Sequence, residues 1–304
     1  MSASPRSVVA VVLTFNEERN LPACLASLDG WCREVVVIDS GSTDRTTAIA
    51  REHGARVLTH PFETHARQWQ WALASLPADA EWVLALDADQ RVTAELRDAI
   101  AAAVPRADAD RVDGYFMARR QIFRGRWIRH GGYYPKYLLK LFRRSAVVID
   151  EHDLVDHHFR IAGRVERLRG DLVEDNQNEA AIFDWIEKHN RYARLQAREE
   201  LRGERSSVER RLFGNPDERV AFFKQLWSKA PRYGRSAGYF FYRYVLRLGF
   251  LDGKEGFVFH VLQAFWYRLL VDINIDEQRR AAAGPRVPGT DLASAPPVKR
   301  LNDA

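Results

Sequence analysis

A chain of 304 residues, 46% of them apolar and 29% charged, is long enough to bury one sizeable domain and carry an extension. Its two cysteines, Cys24 and Cys32, are too few and too close for a disulfide framework, so reduced thiols are expected. No apolar segment with a cleavage site precedes Val8, so no signal peptide is expected, and no Cys/His spacing suited to a metal occurs.

The first element, Val8-Val9-Ala10-Val11-Val12-Leu13, is uniformly apolar, as an interior parallel strand covered on both faces should be. Thr14-Phe15-Asn16-Glu17-Glu18 follows as a loop. Asn20-Leu21-Pro22 then opens a helix with Leu21, Leu25 and Leu28 at helical spacing. The second strand, Glu34-Val35-Val36-Val37-Ile38, runs into Asp39 and the turn Ser40-Gly41-Ser42-Thr43-Asp44. A helix through His53 follows, then a third strand at Ala55-Arg56-Val57-Leu58 and the helical stretch HARQWQWALASL. A fourth apolar run, Trp82-Val83-Leu84-Ala85-Leu86, ends in Asp87 and Asp89. Strand and helix alternate four times in about 90 residues, which predicts a doubly wound parallel sheet.

Acids at the end of a buried strand are costly unless neutralised. A hard divalent cation does this with oxygen ligands and commonly shares them with substrate phosphates. Two strands ending in acid, at Asp39 and Asp87, place a site at the carboxyl edge of the sheet. Asp-X-Asp by itself is also a capping pattern, and Asp89 or Thr93 could equally cap the helix AELRDAIAAAV.

In order and spacing, TFNEERNL, VVVIDSGSTDRT and WVLALDADQ resemble the opening of family 2 glycosyltransferases, over residues 8 to 100. GGYYPKYLLKLFRR, GFLDGKEGF and KHNRYARLQA resemble the bacterial branch that builds lipopolysaccharide core and exopolysaccharide. The resemblance implies an α/β fold: a GT-A-type doubly wound, mostly parallel sheet with a C-terminal helical extension. It also implies metal-dependent, inverting transfer from a nucleotide-sugar, a UDP-sugar, to a glycan or lipid-linked acceptor. Thr14, Asn16 and Glu17 then match the loop that holds uracil and ribose, and Asp39 the acid at the nucleobase or ribose. Asp87 falls near the ribose and the metal's waters, and Asp89 on the Mg²⁺ or Mn²⁺ that bridges the diphosphate. Gln68 stands in the stretch His65-Ala66-Arg67-Gln68-Trp69-Gln70, where relatives often carry Gly-x-x-x-x-Arg-Asn, and is placed with the donor-binding residues. A second departure is Gln90, where many relatives have Glu. Both leave the donor sugar open.

An inverting transfer needs a base for the acceptor hydroxyl. Relatives place an acid beside a histidine before a strand and a glycine turn, and Asp156-His157-His158-Phe159, running to Gly163, fits best. The rival is the acidic pair Glu174-Asp175, which could also cap the next helix. His152 and Asp153 read as surface groups.

Charge is uneven. Residues 111 to 144 hold ten Lys or Arg against one acid, Asp113, and this basic-aromatic stretch suits a phosphorylated glycan, a diphosphate or an anionic lipid surface. From Val220 to Leu251 there are ten aromatic and six basic residues (among them Lys229, Arg232 and Arg235) and no acid. The apolar run at 256–271, broken by His260, Gln263 and Arg268, is too short to span a bilayer, so an in-plane amphipathic helix is expected, with a packed helical hairpin as the alternative. The helix around Trp185 closes the acceptor side, its polar face with Lys188 and His189 turned to acceptor or solvent. The expected organisation is a catalytic domain at 1–205, a helical extension at 206–280 and a disordered tail at 281–304. The expected location is cytoplasmic, peripheral on the inner face of the cytoplasmic membrane. A sugar nucleotidyltransferase would want a glycine-rich phosphate loop after the first strand, and LTFNEERN has no glycine. A nucleic-acid-binding module would not end two strands in acid, so no nucleic acid is expected.

Overall fold

The computed structural model describes residues 7–149, 159–179, 181–202, 213, 227 and 230–282. Four parallel strands form one half of the main sheet: β1 (Val8–Thr14), β2 (Glu34–Asp39), β3 (Arg56–Thr59) and β4 (Trp82–Asp87). They lie side by side in the order β3-β2-β1-β4. Val8, Ala10 and Val12 of β1 enter one core layer, with Leu21, Cys24, Leu25 and Leu28. Val9 and Val11 enter the other, with Trp69, Ala72 and Leu73. Helix α1 (Leu21–Ala26) therefore covers one face and α3 (His65–Ala74) the other, with α2 (Thr46–Glu52) between them in sequence. Both faces of β1 are dry, which is why it carries no polar alternation.

The other half is mixed rather than parallel. Next come β5 (Gln90–Val92), β6 (Val112–Phe123), β7 (Arg126–Trp127), β8 (Lys136–Arg143) and β11 (Arg164–Glu174), while β9 (Val147–Ile149) and β10 (Phe159–Ile161) form a small separate ladder. From β4 the sheet continues through β8, β6 and β11 to β5. β8 is antiparallel to both β4 and β6, β11 is parallel to β6, and β5 is antiparallel to β11. Only Ala88 and Asp89 separate β4 from β5 in sequence, yet three strands separate them in the ladder. The sheet must therefore curl, and the end of β11 arrives beside the β4–β5 turn. Helix α4 (Ala94–Ala103) is capped by Thr93, whose hydroxyl accepts from the Leu96 amide at 3.3 Å, so Asp89 is not its cap, and the short helix α5 (Ala107–Asp110) follows it.

The long helix α6 (Ile182–Arg202) packs along the helix Tyr267–Ala282 through Ala193, Ala197, Tyr267, Val271 and Ile275. Trp185 and Phe259 join Phe123 and Ile128 in a second small core. The expected in-plane amphipathic helix at 256–271 is thus corrected to the packed alternative: Phe259, Tyr267 and Val271 are buried against α6 and the end of β6, and His260 and Ala264 are buried as well. No helix among the described residues is long and apolar enough to cross a membrane.

Two segments singled out in the sequence dock on each other here. Asp252, from GFLDGKEGF, accepts the His130 backbone N–H at 2.8 Å and pairs with His130 Nδ1 at 2.7 Å. Gly131 donates to the Arg247 carbonyl at 2.9 Å, and Arg243 Nη1 donates to the Gly131 carbonyl at 2.7 Å. A Cβ on Gly131 would overlap His260, and one on Gly249 would lie 2.6 Å from His260 Nε2, so both glycines are required by close approach.

The basic residues near 230 are also spoken for. Arg235 is buried, its Nε 2.8 Å from Asp272 and its Nη2 3.0 Å from Glu200, while Arg232 pairs with Asp276 at 2.9 Å. They hold the helical extension together, and Arg235 is buried away from any lipid, while Lys229 lies outside the described residues. Arg235→Met leaves the Asp272 carboxylate buried and unpaired, so stability is expected to fall by about 3–5 kcal/mol in urea titration.

Candidate active site

Because β1, β2 and β4 run parallel, their last residues meet at one edge: Thr14 is in register with Asp39, and Leu13 with Asp87. Asp39 is buried, and its carboxylate is fully used. It accepts from the amides of Gly41 (3.0 Å) and Ser42 (2.9 Å), from the Ser42 hydroxyl (2.5 Å) and from the Thr14 hydroxyl (3.2 Å). Asp39 therefore fixes the loop after β2. Asn16, at a φ of 55°, braces the same loop: its Oδ1 accepts from the Thr43 amide, and its own amide donates to Ser42 Oγ, both at 2.8 Å. Gln68 lies behind the loop and donates to Ser40 Oγ and the His60 carbonyl, each at 3.2 Å. The loop rim is held in place by its own hydrogen bonds.

Glu17 links this rim to the distant end of β11. Its Oε2 accepts from Asn20 at 2.7 Å and from Asn178 at 3.0 Å, and burial raises its pKa. Asn20 in turn accepts from the Gln177 amide at 2.7 Å. No sequence signal pointed to Asn178 or to Asn176, whose Oδ1 accepts from Asn20 at 3.0 Å, because a link between positions about 160 residues apart leaves no local pattern.

At the β4–β5 turn, Asp87 Oδ2 pairs with Lys140 at 2.8 Å. Gln90 is buried and bridges two parts of the site, accepting from the Asp87 amide at 3.2 Å and donating to Glu174 Oε2 at 3.0 Å. Glu174 is held by Arg119 at 3.0 Å, and Asp175 by Arg91 at 2.9 Å and by the Gln177 amide group at 2.8 Å. The Asp175 backbone N–H donates to the Asp89 carbonyl at 3.0 Å, tying the two acidic segments together. Lys140 and Arg119 come from the basic stretch at 111–144. That stretch was expected to face an anionic partner, yet Arg119, Arg120, Lys140 and Arg143 pair with acids of this chain.

Asp89 differs from its neighbours. Among the described residues its carboxylate takes no hydrogen bond or ion pair. Burial, then the charges of Glu174 and Asp87, push its pKa well up. A divalent cation held there would offset that cost. The described residues hold no group of three or more His, Cys, Asp or Glu able to enclose a metal. An oxygen-only pair completed by substrate phosphates and water needs no such enclosure, and Asp87 with Asp89 has the donors Mg²⁺ or Mn²⁺ takes. The residues fit the ion.

Beside Asp175 lies a cleft of about 330 Å³, lined among others by Phe123, Arg124, Asp175, Gln177, Trp185 and Phe259. The polar face expected on α6 is not open. Lys188 pairs with Glu179, and His189 stacks on Trp185 at 3.5 Å between ring centres, its pKa pushed down to about 4 by burial. The structure thus gathers Thr14, Asn16, Glu17, Asp39, Asp87, Asp89, Glu174 and Asp175 at one edge, with Gln68 behind it. Asp156, His157 and His158 lie outside the described residues.

The chain belongs to glycosyl transferase family 2, whose model matches residues 9–169, and it is a glycosyltransferase. It is 29% identical to the lipopolysaccharide core biosynthesis glycosyltransferase LpsC of Rhizobium meliloti, over 84% of this chain and 89% of that protein. It is 37% identical to an uncharacterized glycosyltransferase of Rickettsia conorii over 31% of this chain and 32% of that one. Among solved structures, glucosyl-3-phosphoglycerate synthase from Mycobacterium tuberculosis with Mn²⁺ and UDP-glucose matches at 22% identity, covering 38% of this chain and 44% of that one, with a TM-score of 0.32. TarS 1-349 from S. aureus matches over 90% of this chain and 91% of that one at 16% identity, with a TM-score of 0.43.

Proposed function

We propose that this protein moves a sugar, with inversion, from a UDP-sugar to a lipid-linked or polysaccharide acceptor of the lipopolysaccharide type, with Mg²⁺ or Mn²⁺ at Asp89 and Asp87. Its place of work is the inner face of the cytoplasmic membrane, as a peripheral protein. The observation that carries the reading is the Asp89 carboxylate, which takes no hydrogen bond or ion pair among the described residues and whose pKa burial, Glu174 and Asp87 hold well up.

Thr14, Asn16 and Glu17, with the loop that Asp39 and Gln68 hold, form the nucleoside wall. Lys140 neutralises Asp87, and Gln90 keeps the turn in register with Glu174. A bound divalent ion would stabilise the charge that develops on the departing diphosphate. Asp175, which lines the acceptor cleft, takes the proton from the attacking hydroxyl. Glu174 is the weaker choice, since it is held by Arg119 and Gln90 and does not line that cleft. Asp156, the first choice from sequence, is its rival.

Calorimetric titration with UDP, with and without Mn²⁺, tests the reading. Affinity is expected to rise at least about tenfold, 1.4 kcal/mol, when Mn²⁺ is present. Equal affinity in both conditions removes the metal from the proposal.

A further inference from the structure

Large apolar side chains are not spread evenly over the surface. Of fourteen that stand exposed among the described residues, eight fall between Phe241 and Phe257. The helix Gly234–Phe241 runs through a π-helical turn (Tyr242–Leu246), reverses at Leu248, where φ is 60°, and re-enters as the helix Gly253–His260. Val245, Leu246, Leu248, Phe250 and Leu251 line this reversal and face water. A cluster of this kind on a monomer marks a surface that something covers.

The reversal is anchored at its base. Asp252 holds His130, and Arg243 and the Arg247 carbonyl hold Gly131. The apolar tip is therefore presented on a fixed support and is not a loose end awaiting a core. Its charges are one-sided: Arg247 and Lys254 are exposed cations, whereas Asp252 is buried and Glu255 half-buried. A two-fold contact with a second copy would set like cations against each other. An anionic lipid surface would pair with them while taking up the apolar side chains.

We propose that the turn Tyr242–Phe257 inserts into the interfacial layer of an anionic membrane, with Leu246, Leu248, Phe250 and Leu251 as its apolar anchors and Arg247 and Lys254 on the headgroups. This locates the membrane contact named above on particular residues and rests on that reading. It also has a consequence for catalysis. Phe257 faces outward from the same short helix whose Phe259 lines the cleft with Asp175. Seating the turn in lipid brings the acceptor cleft to the membrane surface, where a lipid-linked glycan would be presented.

The test is flotation of the full chain with vesicles of pure phosphatidylcholine and with vesicles containing phosphatidylglycerol. Wild type is expected to float with the anionic vesicles and less so as salt rises. Leu246→Ser/Leu248→Ser/Leu251→Ser should lower the partition coefficient at least about tenfold, with far-UV circular dichroism and Mn²⁺-dependent UDP affinity unchanged. Arg247→Ser/Lys254→Ser, which alters only exposed groups, should weaken binding to anionic vesicles and leave the phosphatidylcholine baseline where it was. If wild type floats with neither vesicle, the membrane reading itself fails. If wild type floats and both variants float equally well, the membrane contact lies elsewhere and this assignment is overturned. A wild-type dimer in light scattering that the triple substitution converts to monomer, without vesicle binding, would make the turn an interface between copies and overturn it as well.

Discussion

Asp89→Asn is expected to abolish the Mn²⁺-dependent part of UDP binding and to lower transfer by at least about a thousandfold, roughly 4 kcal/mol of lost transition-state stabilisation. The substitution keeps the shape and removes the charge, and the side chain takes no hydrogen bond or ion pair within the described residues that an amide would break. Its effect on stability should be opposite in sign to its effect on function. Burial and the charges of Glu174 and Asp87 hold the Asp89 pKa up, so at neutral pH, above its unfolded value, the ionised group works against the fold. Asparagine relieves that strain, and the melting temperature should hold or rise. Asp87→Asn should behave differently, because it strands Lys140, which is mostly buried. A folded Asp89→Asn protein that still binds UDP more tightly with Mn²⁺ would remove this residue from the metal site.

The donor half of the molecule was legible because its signals are local. Uniformly apolar runs at β1, β2 and β4, each closing in polar or acidic residues, specify parallel strands covered on both faces, and parallel strands bring their ends to one edge. Asp39 and Asp87 follow from that alone. The closeness of Glu174 to Asp89 did not, since it depends on β11 pairing with β5 across about 80 residues and on the curl this imposes. Charge misled for a related reason. A count of ten cations in residues 111 to 144 reads as a face for an anionic partner, but Arg119, Arg120, Lys140 and Arg143 answer acids that arrive from elsewhere in the fold. The aromatic run at 220–271 divided likewise. Arg235 and the helix Tyr267–Ala282 turned inward, and the apolar surface left outside was the reversal near Leu248, whose left-handed φ no residue pattern announced.

Asp175→Asn should separate chemistry from donor binding. Its carboxylate lines the acceptor cleft, and its backbone amide is bonded to the Asp89 carbonyl, so a base at this position would be held at a fixed distance from the metal turn. Turnover is expected to fall about 10²–10⁴-fold, the range a positioned base contributes, while UDP-sugar affinity stays within about twofold of wild type, because the lost interaction exists only during proton transfer. Both Asp175 oxygens already hold partners, Arg91 and Gln177. Asparagine retains an acceptor for Arg91, so folding should survive and the loss should fall on kcat and not on KM for the donor. Asp156→Asn is the necessary companion. If it alone reproduces the turnover defect and Asp175→Asn transfers normally, the base belongs to the segment Asp156-His157-His158, and Asp175 is a positioning residue that keeps the two acidic segments in register.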